Sequence, residues 1–317
     1  MNNNGSAIIK HAARIICSGN LVAFPTETVY GLGADAFNET ACLKIYATKG
    51  RPVNNPLIVH VNTIQQAEEI AVFSDFAYLA SSLWPGPLTM VLPKKKDNLL
   101  APCVTAGLDT VAIRIPAHPV ARELIHESNT FIAAPSANKS GYLSPTSYLH
   151  VEAGFKDTIF TISAPETCKY GLESTIIDLS TQVATILRLG FITPECIEQI
   201  IGRRVVVADK ASAIKAPGMM YAHYAPKTPI RINAASLRDK EVGLGFGDSD
   251  FSTPGSLNLS PEGNLEAAAA NLFAYLHDLD VYATKHRLKS IAVAKIPNES
   301  VGRAINDRLI KAAASSL

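Results

Sequence analysis

The stretch TKGRPVNNPLIVHV, residues 48–61, sets Lys49 and Arg51 two positions apart on a backbone punctuated by Gly50, Pro52 and Pro56, then runs directly into an apolar segment. LIVHV reads as a strand, because β-branched residues suit a pleated environment. Just upstream, ETACLKIYATKG (39–50) places Cys42, Leu43, Ile45 and Tyr46 at helical spacing and ends on glycine. Helix, stiff loop and strand in succession are the material of an α/β sheet. The prolines bear on chemistry as well. A loop stiffened by Pro52 and Pro56 loses less entropy when it fixes a long side chain. A charge-assisted hydrogen bond to a phosphate contributes roughly 1.5–3 kcal/mol. Two cations on one rigid loop therefore fit a polyphosphate, although solvated surface charge is the commoner fate of such residues.

The alternation continues outward. SAIIKHAARIICSG (6–19) puts Ile8, Ala12, Ile15 and Ile16 on one helical face, and LVAF (21–24) reads as a buried strand. TIQQAEEIAV (63–72) is a helix with Thr63 as its N-cap. TMVLPK, TVAIRIP, TFIAAP, STIIDL and ATILRLG are strands rich in Val, Ile and Thr, so between residues 84 and 190 strands outnumber helices and a mixed sheet is expected. TPECIEQIIG (193–202) has threonine at the cap, proline at the first helical position and a closing glycine, and VVVA (205–208) is one more strand. From Asp209 the pattern stops. DKASAIKAPGMMYAHYAPKTP (209–229) has three prolines and no sustained period, and reads as a linker or an ordered lid. IRI, VGLGFG, a long amphipathic helix around Leu272, Tyr275, Leu276 and Leu279, SIAVAKI and GRAINDRLIKAAA then form a small parallel β/α unit. The expected division is 1–208, a linker at 209–229, and 230–317.

Composition narrows the class of function. A chain of 317 residues with 47% hydrophobic and 18% charged residues has ample material for buried cores. Its net charge of +1 is too balanced for coating nucleic acid through bulk charge. The five cysteines are scattered without a CxxC pair, which indicates neither a zinc site nor a disulfide framework and makes a reducing cytoplasm the expected compartment. No signal-peptide pattern opens the chain, and no apolar run is long enough to cross a membrane.

Two further polar clusters follow strands. FPTETVYGLGADA (24–36) offers Thr26, Thr28 and Tyr30, with Gly31 and Gly33 placed for positive φ or close approach by a ligand, unless the segment is an ordinary turn. AAPSANKSGYLSPT (133–146) carries Ser136, Asn138 and Ser144 in a loop with the makings of an anion cradle. Arg114 and Arg188 lie inside apolar strands, where an unpaired cation is costly. Either each pairs with a buried carboxylate, Glu173 and Asp178 being the candidates, or each points into a cleft toward an anionic ligand. His60 is open to both readings, core residue or ligand contact.

Together these stretches resemble the YrdC-type domain. KGRP followed by PSAN matches its KxR…SxN signature, and FPTETVYGLGADA, NNPLIVHV, WPGPLT, VAIRIP, EST and LRLG occur in that family's order. APGMMYAHYAP resembles the linker of the two-domain threonylcarbamoyl-AMP synthases, so the likeness spans essentially the whole chain. The resemblance implies a twisted open mixed α/β sheet with a concave cleft, followed by a small Rossmann-like α/β domain. It implies synthesis of threonylcarbamoyl-AMP from L-threonine, bicarbonate or CO2 and ATP with Mg2+, the product passing to a tRNA threonylcarbamoyl transferase complex. By matched position, Thr28, His60, Arg114, Ala134 and Ser174 would hold threonine, Ala134 through its backbone. Lys49 and Arg51 would act on the phosphates. Asn55, Thr110, Ser136, Asn138, Ser144, Arg188 and Tyr224 would complete the ATP site. Met220 and Ala222 stand where the family commonly has Lys and Arg. A different class, an RNA-binding module of the same fold, fits a concave surface but not the near-neutral charge or the lack of an aromatic strand of RNA-binding type.

Overall fold

A computed structural model of the chain describes residues 3–156, 158–164, 168–209 and 224–314. Ten strands form one mixed sheet, in the order Val206–Val207, Thr185–Arg188, Thr175–Asp178, Leu88–Pro93, Thr110–Arg114, Ile58–His60, Ile132–Ala134, Gly31–Asp35, Val22–Phe24 and Phe160–Thr161. Parallel and antiparallel pairings alternate through its centre: Ile58–His60 runs parallel to Thr110–Arg114 but antiparallel to Ile132–Ala134. The register sets His60 opposite both Arg114 and Ile132, and Ile58 opposite Ala134. The ends of three central strands thus bring a histidine, an arginine and an alanine to one region. A second sheet of four strands, Ile230–Ala234, Ser290–Ala294, Glu241–Gly245 and Leu257–Asn258, is parallel throughout. Helices Leu265–His286 and Gly302–Ala314 belong with it.

The caps read from sequence form. Thr63 accepts from the Gln66 amide, Thr193 accepts from Cys196, and Gly202 closes its helix at φ 64°. The sequence reading missed the strand Gly31–Asp35 and the helices Asp75–Ala80, Pro102–Thr105, Pro119–Ser128 and Tyr148–Phe155. The first miss has a clear cause. Gly31 and Gly33 are absent from the positive-φ residues and lie in extended strand. At Gly33 a Cβ would meet Ile132 Cγ2 at 2.7 Å and Phe24 Cε1 at 2.8 Å, so this glycine makes room for neighbouring side chains of its own sheet.

Apolar packing does not stop between the two sheets. Val29, Leu143, Leu172 and Tyr224 belong to the same buried cluster as Leu244, Leu272, Phe273 and Leu276. Gly171, at φ 64°, presses against the long helix: a Cβ there would lie 2.3 Å from the Ala270 carbonyl oxygen.

Candidate active site

The sheet opens into a cavity lined among others by Thr28, Arg51, His60, Arg114, Ala134, Ser136, Ser174, Arg188 and Tyr224. These come from loops and strand ends spread over nearly two hundred positions of the chain, and all nine are among the residues singled out from sequence. Nearly all are buried, so their charges and hydroxyls stand in a medium where electrostatic interactions are strong.

One wall is built around Arg114. Its Nη1 donates to Thr28 Oγ1 at 2.9 Å, Nη2 to Glu27 Oε1 at 2.6 Å, and Nε to the Gly86 carbonyl at 3.3 Å. The carboxylate partner is therefore Glu27, not Glu173 or Asp178. Burial pushes Glu27 toward the neutral form, but the Arg114 cation and its hydrogen bond hold the carboxyl below its ordinary range. Thr28 is fixed in turn by Thr26, whose Oγ1 lies 2.8 Å away. His60 Nδ1 lies 3.2 Å from the Ile58 carbonyl and 3.3 Å from that of Ile132. Both neighbours only accept, so Nδ1 carries the proton and Nε2 keeps its lone pair. Burial, reinforced by Arg114, drives the His60 pKa down to about 3, so the ring is neutral.

Arg188 and Arg51 supply the other wall. Arg188 donates through Nε to the Ser174 carbonyl and through Nη2 to Ser174 Oγ, both at 3.0 Å. Ser174 Oγ also lies 2.8 Å from Thr89 Oγ1. Arg51 is braced by its own loop: Nε and Nη2 donate to the Asn55 carbonyl and Oδ1 at 3.1 and 2.5 Å, and Nη2 reaches the Pro56 carbonyl at 2.8 Å. Burial lowers its pKa only to about 10, so it stays a cation at neutral pH.

Five residues singled out from sequence do not line the cavity. Lys49 ends its helix buried behind Ser136, with Nζ donating to the Ser136 carbonyl at 2.6 Å and to that of Asn138. Burial, then repulsion from Arg51 and Lys139, lowers its pKa well below the ordinary lysine value. Lys49 and Arg51 thus diverge: one ties down the 135–138 loop, the other faces the cavity. Asn55 serves Arg51. Asn138 accepts from Ser136 Oγ at 2.5 Å and donates to the Lys139 and Tyr142 carbonyls at 2.8 and 2.9 Å, locking the loop's shape. Ser144 gives its hydroxyl to Glu173 Oε1. Thr110 sits opposite Pro93 at the start of the strand that ends at Arg114. Glu27 and Glu173, both on or behind the walls, were not among the residues proposed for the site. Their sequence signal was their place inside TET and EST. Met219, Met220, Tyr221 and Ala222 of the expected lid lie outside the described residues; Tyr224 is described, buried and on the cavity wall.

This geometry coincides with a strong likeness to known proteins. The chain is 39% identical to the threonylcarbamoyl-AMP synthase of Pyrococcus abyssi, over 96% of its own length and 93% of the relative's. The chain belongs to the threonylcarbamoyl-AMP synthase family. A family model described as "Telomere recombination", of the Sua5, YciO and YrdC group, matches residues 14–190, and one described as "Threonylcarbamoyl-AMP synthase, C-terminal domain" matches 192–314. The family member of Bacillus subtilis is 40% identical over 96% of this chain and 92% of its own. The structure of P. abyssi Sua5 complexed with L-threonine aligns with a TM-score of 0.85 at 38% identity, covering 97% of this chain and 94% of that one.

Proposed function

We propose that the chain makes threonylcarbamoyl-AMP and diphosphate from L-threonine, bicarbonate or CO2 and ATP, the first step of tRNA threonylcarbamoyladenosine formation. The observation that carries this reading is one buried cavity with two differently equipped walls: a neutral imidazole beside the Arg114 fork, and the two guanidiniums of Arg51 and Arg188.

Arg114 and Thr28 hold the threonine carboxylate. Three of the five N–H groups of a guanidinium are engaged by protein oxygens here, leaving one on each terminal nitrogen to grip a carboxylate. His60, neutral with Nε2 as acceptor, receives an N–H or O–H of threonine and does not repel the ammonium. Ser174 and the backbone at Ala134 complete that subsite. The ammonium releases one proton to solvent, and the free amine then attacks CO2, forming a carbamate as a second proton leaves to solvent. A carbamate oxygen then attacks the α-phosphorus as diphosphate leaves; starting from bicarbonate, one water is released as well. The carbamate is already an anionic nucleophile, so the demands on the protein are positioning and neutralisation of charge. Arg51 and Arg188 meet the phosphates, Asn55 and Lys49 hold Arg51 and the Ser136–Asn138 loop in place, and Tyr224 covers the nucleotide. Ser144 and Thr110 belong to the ATP region by family position. Magnesium is brought by ATP. Among the described residues no group of three or more His, Cys, Asp or Glu is placed to hold a metal, and Glu27 and Glu173 are engaged by arginines, so phosphates and water would be its ligands.

We assign catalysis to 1–208, a linker to 209–229 and a second domain to 230–317, with a tRNA threonylcarbamoyl transferase as the downstream partner in the cytoplasm. Among the described residues no helix is long and apolar enough to cross a membrane. The test is incorporation of radiolabelled bicarbonate into an adenylate. Label should enter a product containing both threonine and AMP only when threonine and ATP are both present. Label-free product, or AMP formation indifferent to bicarbonate, would refute the reading.

A further inference from the structure

The second unit grips the cleft at two linked residues. His277, on helix Leu265–His286, has Nε2 3.2 Å from the Ser144 carbonyl oxygen. Arg308, on helix Gly302–Ala314, donates through Nε to Glu173 Oε2 at 3.0 Å, while the other oxygen of Glu173 takes the Ser144 hydroxyl. Arg308 is 1% exposed, and its guanidinium carbon lies 5.3 Å from the centroid of the Tyr224 ring. Its Nη1 donates to Asp307 at 2.8 Å, but Nη2 has no hydrogen-bond partner among the described residues. A buried guanidinium with an unmatched donor is a costly way to join two units. An apolar side chain of similar size would pack the interface without that cost.

The adjoining chemistry gives the charge a purpose. Glu173 lines the cavity and directly precedes Ser174. Burial drives its carboxyl toward the neutral form, and the charges of Arg308 first and Arg188 second oppose that. Without Arg308, Arg188 is the remaining cation that acts on Glu173, and its present hydrogen bonds to Ser174 compete with that attraction.

We propose that Arg308 is a positioning residue for nucleotide binding: it neutralises Glu173 from the second unit, so that Arg188 stays on Ser174 and faces the phosphates, with Tyr224 seated beside it. This rests on the ATP site proposed above. It gives the second unit a part in the chemistry without contact with the reacting atoms.

The test is calorimetric binding of a non-hydrolysable ATP analogue and of threonine to the full chain, for wild type, Arg308→Met, and Arg308→Met combined with Glu173→Gln. Arg308→Met should weaken the ATP analogue by at least about tenfold and threonine by less than about threefold. Adding Glu173→Gln removes the uncompensated carboxylate and should return ATP-analogue affinity to within about threefold of wild type. An ion pair that only joins the two units would weaken threonine and the ATP analogue alike when broken, and that result overturns the proposal. Unchanged ATP-analogue affinity in folded Arg308→Met, or a double variant no better than the single, overturns the proposal. If Arg308→Met does not fold, the double variant decides alone: folded with near-wild-type affinity supports it, and unfolded or at least about tenfold weaker overturns it. A wild type that binds neither ligand would refute the functional reading itself; a wild type that binds both, with the variants failing as described, refutes only the role of Arg308.

Discussion

Arg114 is a cation inside an apolar strand whose fork is aimed by Glu27, Thr28 and the Gly86 carbonyl. Because its position is so fully determined, little ordering remains when a carboxylate binds. Arg114→Ala should cost threonine binding roughly 2–5 kcal/mol and ATP binding much less. Calorimetry giving unchanged threonine affinity in a folded variant would reject the assignment. His60 makes a pH statement. Its folded pKa of about 3 lies below the ordinary value of 6.5. Between those values the unfolded chain binds a proton that the folded chain does not. Stability attributable to His60 is therefore full above pH 6.5 and falls as pH drops toward about 3. The acid limb of a plot of Tm against pH should be shallower for His60→Gln than for wild type; equal slopes would mean the ring does not carry this effect. At this scale the sequence placed Arg114 and Arg188 inside apolar strands, but it showed neither what they meet nor that Lys49, Arg51 and Arg308 are buried as well. Glu27 and Arg114 are 87 positions apart, and Glu173 and Arg308 are 135 apart. Only the fold brings such pairs together.

At the scale of elements, the helix, loop and strand around TKGRPVNNPL hold as read, and the correction concerns direction. The helix Glu39–Lys49 ends with its lysine turned to the Ser136 and Asn138 carbonyls, while the proline-stiffened loop presents Arg51 to the cavity. KGRP and PSAN are thus two halves of one assembly, a link that spacing along the chain does not reveal. Lys49→Met should loosen the 135–138 loop, and Arg51→Ala should remove a phosphate contact. Each should cut turnover by on the order of 10²-fold, and the double variant should lose less than the product of the two. Steady-state rates at limiting ATP check this: wild-type rates in both single variants would reduce the loop to surface decoration. Strand Gly31–Asp35 was hidden because its glycines suggest a turn. Gly33 makes room for Phe24 and Ile132, a reason visible only once the flanking strands are in place, while Gly31 lines the cavity.

Across the whole molecule, the mixed first sheet and the parallel second sheet were legible from the switch in pattern after Ala208. The way they meet was not: Tyr224 was read from the linker as a cleft residue, but the contacts of Gly171, His277 and Arg308 with the other unit carry no signal in sequence. The two units share a buried apolar cluster that reaches the cavity wall at Val29 and Tyr224. In the proposed reaction threonine must be present before ATP is cleaved at its α-phosphate. The most direct test is exchange of labelled pyrophosphate into ATP, catalysed by the full chain with bicarbonate, with and without L-threonine. The account predicts exchange that requires threonine and disappears with Arg114→Ala. Exchange of equal rate without threonine, or none with all substrates present, would contradict it.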